Sequence, residues 1–161
     1  MREFIVFIPI AIVYLSFRVT ITPGLPIPDI SVLIVFFLAV QRPSVEGVFL
    51  AFVLGYIDDI FSGAIVGSSS FSLVIVYTVL CSVSRKMAFT DPLIRGISLF
   101  VTYFIKELLV MMVLYFTRIH VGLSLYMLAA GSVTALFSPL FMALFRKAID
   151  VGFLRIERGE L

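Results

Sequence analysis

The chain has 161 residues, of which 61% are hydrophobic and 14% charged, with a formal net charge of +2. Its mean hydropathy of +1.19 leaves too little polar sequence to coat a soluble domain. The small charge and the lack of basic runs interleaved with aromatics exclude a nucleic-acid surface, and a single cysteine, Cys81, excludes an internal disulfide or a cysteine metal cluster. Seventeen Phe and no Trp fit a protein lying almost wholly within a bilayer.

The charges punctuate six apolar segments. The first, about residues 4–21, follows a short basic start; it has no small-x-small cleavage site before Arg18 and reads as a retained anchor. Pro23, Pro26 and Pro28 end it. The second, residues 30–40, covers about half a bilayer at ~1.5 Å per residue, so it is either a short span or half of a re-entrant hairpin with the third. The third, residues 45–61, is long enough to span only if it includes Asp58 and Asp59. The fourth covers residues 64–83, the fifth 96–116 with Lys106 and Glu107 inside it, and the sixth 121–145 with Gly131 and Pro139.

The expected fold is therefore an all-α integral membrane protein, a six-helix transmembrane bundle filling residues 1–147. The tail, 148–161, is short and cytoplasmic. Its apolar residues Ile149, Phe153 and Ile156 share one helical face, which suits either a helix on the membrane surface or a solvated extension. With the N-terminus inside, the cytoplasmic side collects Arg2, Arg42, Arg85, Lys86, Arg95, Arg146, Lys147, Arg155 and Arg158, against Arg18 and Arg118 outside. That asymmetry places both termini in the cytoplasm.

An ionisable group inside a membrane segment costs roughly 2.5–3.5 kcal/mol on insertion scales, so the run GYIDDIFSGAIVG draws attention. In a continuous helix Gly55, Asp59, Gly63 and Gly67 would form one stripe suited to close packing or a partner helix. A turn at Ser62-Gly63 is the favoured reading, with the helix ending near Phe61 and both aspartates at the non-cytoplasmic end. The aspartates then mark a boundary, hydrogen-bond across helices or to a partner, or carry a proton or ion. Lys106 and Glu107 point about 100° apart on a helix and are not expected to pair with each other. Glu107 is expected to meet a cation from another helix, and Lys106 to bond carbonyls or snorkel. Helix packing, a ligand site and a partner contact are the three uses open to them.

No catalytic constellation is legible. Ser68-Ser69-Ser70 lies in GSSSF rather than a nucleophile elbow, and His120, the only histidine, falls at an expected loop. No metal-ligand spacing or glycine-rich phosphate loop is present, and no cofactor is expected.

Taken together, Pro28-Asp29 opening a short apolar run, Arg42-Pro43 closing it, and the Gly55, Asp59, Gly63, Gly67 series resemble the rod shape-determining MreD family. Asp58 is an extra acid where that family carries an apolar residue, whereas Gly131, Pro139 and Arg146-Lys147 fit its last helix. The resemblance implies a non-enzymatic inner-membrane subunit of the bacterial cell-elongation complex. Its partners would be an MreC-like bitopic scaffold, MreB-like filaments and peptidoglycan synthases. It also implies a fold similar to the substrate-binding subunits of energy-coupling-factor transporters, which makes a vitamin-uptake subunit the alternative function.

Overall fold

The computed structural model describes residues 2–21, 27–41, 43–63, 65–85, 91–117 and 125–157. These form six helices: α1 (Arg2–Ile21), α2 (Ile30–Gln41), α3 (Val45–Ser62), α4 (Ser68–Ser84), α5 (Pro92–Phe116) and α6 (Leu125–Glu157). No strand occurs among the described residues. Each expected apolar segment coincides with one helix. Two of them contain stretches long and apolar enough to cross a membrane, Leu93–Phe116 and Leu128–Phe145.

The boundaries differ from expectation for local reasons. α5 starts at Pro92, earlier than residue 96, because proline at the first helical position loses no needed hydrogen bond. Its N-terminal neighbour Asp91 is extended, as a capping residue is. α6 does not stop at residue 145; it passes Pro139 and continues to Glu157, so most of the expected tail prolongs that helix. α4 starts at Ser68 rather than residue 64, because the α3–α4 turn occupies the intervening residues.

α2 is the centre of the molecule. Every residue from Ile30 to Ala39 is buried, and all five other helices pack against it. A helix apolar on every face has no side to offer water, and full enclosure is the arrangement that removes all of them. At ~1.5 Å per residue it is about 18 Å long. Its middle is held by an aromatic triad: the Phe7 ring of α1, Phe37 of α2 and Phe145 of α6 meet edge to face at centroid distances of 5.6–6.1 Å. At its C-terminal end Ser84 Oγ of α4 donates to Ala39 O at 3.0 Å. The outer helices instead turn apolar side chains outward, among them Phe49, Phe52 and Ile60 on α3, Val101 and Met112 on α5, and Leu140 on α6.

Side-chain caps set the starts of the two helices flanking residues 42–44. Asp29 Oδ1 accepts from the Ser31 and Val32 N–H groups at 3.0 and 3.2 Å, and Ser44 Oγ from Gly47 N at 3.1 Å. These satisfy donors that the first helical turn leaves orphaned.

The four-residue glycine spacing divides into two jobs. Gly55 lies at the α3–α4 contact, where a Cβ would collide with the Ser70 backbone. Gly63 and Gly67 are turn residues with φ of +66° and +102° and nothing within 4 Å of a would-be Cβ. The favoured turn at Ser62-Gly63 forms and the stripe of a continuous helix through Gly67 does not: the value of these two glycines is left-handed backbone, which side chains disfavour. Gly55→Ala is expected to destabilise the fold by about 1–3 kcal/mol, since backbone stands in the way. Thermal unfolding of the detergent-solubilised protein reads this, and an unchanged midpoint would contradict the close α3–α4 approach.

Candidate functional site

Adjacent acids on one helix point in different directions, and Asp58 and Asp59 accordingly belong to different arrangements. Asp58 faces inward toward α1 and α5. Asp59 faces the turn that leads into α4.

The first arrangement centres on Lys106, midway along α5 and only 5% exposed. Its Nζ lies 2.9 Å from Asp29 Oδ2, 3.2 Å from Glu107 Oε1 and 3.6 Å from Asp58 Oδ2. Arg18 Nη1 of α1 stands 4.0 Å from Asp58 Oδ1. Asp29 also reaches α6, because its backbone N–H donates to Thr134 Oγ1 at 3.1 Å, while that hydroxyl donates to Ala130 O at 2.7 Å. One cluster thus gathers groups from α1, α3, α5, α6 and the cap of α2. A buried ammonium is tolerated only when paired and hydrogen-bonded, and here a carboxylate meets it on three sides.

The carboxylates are not equivalent. Asp29 uses one oxygen for two backbone donors and the other for Lys106. Asp58, 5% exposed, has only the two longer ion contacts and no hydrogen bond among the described residues. Formally, three carboxylates face two cations, Lys106 and Arg18.

Two expectations are corrected by this geometry. Lys106 and Glu107 do pair, at 3.2 Å; the flexible four-carbon lysine stem brings the ammonium back over its neighbour while it still reaches Asp29. Lys106 neither snorkels nor relies on carbonyls, and Glu107 finds its cation on its own helix. Sequence reasoning missed Asp29 as a member. A signal was present: a capping residue directly before an apolar run lies at a helix start, and a buried lysine requires a carboxylate from elsewhere.

The second arrangement is a remote cap. Gly67 precedes α4 but has no side chain to satisfy its first turn. Asp59, fully buried, supplies that group from α3. Its Oδ2 accepts from Gly67 N at 2.7 Å, and its Oδ1 from Ser69 N at 3.1 Å and Ser68 Oγ at 3.2 Å. A carboxylate at a helix N-terminus satisfies orphan donors and complements the dipole. The serine run is structural as well: Ser68 donates to Asp59, and Ser72 Oγ to Ser68 O at 2.8 Å. Ser70 Oγ is buried without a partner. His120 lies outside the described residues.

Neither arrangement lines either of two grooves on the described residues. One, ≈480 Å³, runs between α1 and α6 past Val13, Phe17, Phe141 and Leu144. The other, ≈310 Å³, lies at the far end of the α3–α4 pair. No group of three or more metal-ligating side chains occurs among the described residues. The Lys106 arrangement therefore fixes helices against one another through charge.

Comparison with family models, with curated proteins and with solved structures finds no match to this chain.

Lys106→Met leaves Asp29, Asp58 and Glu107 facing one another without their shared cation, and is expected to destabilise the protein by about 3–5 kcal/mol. Asp58→Asn, which removes the least satisfied carboxylate, is expected to cost less. At Asp59, asparagine keeps one acceptor and leucine none, so Asp59→Leu is expected to lower the unfolding midpoint more than Asp59→Asn. A reversed order in either pair, read by thermal unfolding in detergent, would contradict the assigned contacts.

Proposed function

We propose that this chain is a multi-pass protein of the bacterial cytoplasmic membrane, with six membrane segments and both termini inside. Its function in this reading is that of a non-enzymatic, MreD-like subunit of the cell-elongation complex. The membrane part is supported by the two long apolar helices and by the large apolar side chains that α1, α3, α4, α5 and α6 turn outward. A soluble protein would cover such a surface with charge. The distribution of Lys and Arg along the sequence supports the orientation. The α3–α4 turn, with Asp59 beside it, then faces away from the cytoplasm.

One observation carries the choice between scaffold and transporter subunit. Lys106, Glu107 and Asp58, the intramembrane polar groups considered for a ligand pocket, are engaged with Asp29, Arg18 and one another, and the two grooves described above are lined by other residues. A small-molecule site needs convergent polar groups left open to a cavity. Polar groups closed on one another inside an apolar exterior suit a subunit that presents helix faces to other membrane proteins. In this reading an MreC-like bitopic scaffold and peptidoglycan synthases are the partners. The Gly55–Gly67 series supports it through form: Asp59 and the two turn glycines build a closed, reproducible end to the α3–α4 hairpin.

Purification of the tagged protein from its native membrane by mild detergent, followed by identification of what accompanies it, tests the proposal. A bitopic scaffold or cell-wall synthases are expected. An ATPase module carrying a bound small molecule would overturn the scaffold function in favour of uptake.

A further inference from the structure

The ≈310 Å³ groove at the end of the α3–α4 pair opposite the Gly63–Gly67 turn belongs to neither arrangement described above. One wall is the start of α3, with Val45 and Val48; the other is the end of α4, with Cys81 and Arg85. Between them the Tyr77 hydroxyl donates to Ser44 O at 2.9 Å and accepts from Ser44 N at 3.0 Å. This gives the groove a fixed, uncharged polar side whose hydrogen bonds are already satisfied. Arg85 is exposed, directly follows α4 and makes no ion pair among the described residues.

The chemistry therefore changes along the groove. A guanidinium stands at one end. Beyond Val48 the same face of α3 continues with exposed Phe52, one turn further on. In the sequence Arg42 precedes Pro43 and Lys86 follows Arg85. Glu46 is the acid on the adjoining turn of α3, and it does not line the groove. A ligand matching this gradient is anionic at one end and hydrocarbon at the other. A guanidinium binds phosphate oxygens in bidentate fashion, and basic pockets between helices on the cytoplasmic side suit anionic lipid headgroups.

We propose that this groove binds the phosphate headgroup of an anionic phospholipid, held by Arg85, with an acyl chain along Val48 and Phe52. The proposal rests on the membrane reading above and adds a ligand to it.

Cys81, the single thiol of the chain, lines the groove and reports its occupancy. The purified protein is reconstituted in phosphatidylcholine vesicles, with or without phosphatidylglycerol, and reacted with an uncharged maleimide. Labelling is expected to be about fivefold slower with phosphatidylglycerol, the effect of one basic residue on an anionic lipid. Arg85→Gln is expected to abolish the difference, Arg85→Lys to keep part of it, and Arg95→Gln, outside the groove, to keep all of it. Equal rates in the two membranes, no labelling in either, or protection that survives Arg85→Gln would overturn the site. Protection of the phosphatidylcholine sample by inorganic phosphate would reassign the groove to a soluble anion and overturn the lipid. A chain that stays in the supernatant when the vesicles are sedimented would instead overturn the membrane reading, and this site with it.

Discussion

The interaction on which the rest of the structure depends is the contact of the Lys106 ammonium with Asp29, Asp58 and Glu107. Apolar faces pack against one another with little discrimination, and this chain is apolar nearly throughout. A buried charge discriminates sharply, because an arrangement that separates it from its partners leaves a desolvated ion. Hydrocarbon solvates an apolar helix face as well as another helix does, so association relies on close packing and interhelical polar contacts. In this chain Gly55 lets the backbone of α3 approach that of α4 at Ser70, Gly47 and Gly131 admit the Tyr77 and Tyr103 rings, and Lys106 gathers the buried ion pairs.

The central helix shows why such a constraint is needed. α2 is buried on every face, and its residues give it no preferred rotation. Asp29 supplies one. It caps the first turn of α2, pairs with Lys106 on α5 and donates its backbone N–H to the Thr134 hydroxyl of α6. One residue just outside this helix thus adds a polar constraint on its depth and rotation to those of the aromatic triad and Ser84. Asp59 performs the corresponding task for α4, reaching from the preceding helix to satisfy a first turn that opens on glycine.

Much of this was legible in the sequence, and the rest has identifiable causes. The six helices follow from runs of apolar residues bounded by proline, glycine and charge. The end of α3 beside Gly63 follows from the need of two segments to reverse direction. The cost of Asp58 and Asp59 in apolar surroundings singles them out but leaves a membrane boundary, an interhelical or partner contact and ion transfer all open; the structure buries both. Their division of labour does not follow from that cost, because it depends on which neighbouring helix each one meets. The pairing of Lys106 with Glu107 was hidden by a rule about backbone directions that a long side chain escapes. Gly63 and Gly67 share a four-residue spacing with Gly55, yet spacing alone does not tell a packing glycine from a turn glycine; the backbone angle does.

A double-mutant cycle between Lys106→Met and Asp29→Asn, measured as unfolding free energy in one detergent, tests the central claim most directly. Residues in direct ionic contact couple by about 0.5–3 kcal/mol. A coupling toward the upper end of that range is expected, with the second substitution costing little once the first is made. Additive effects of the two substitutions would contradict it.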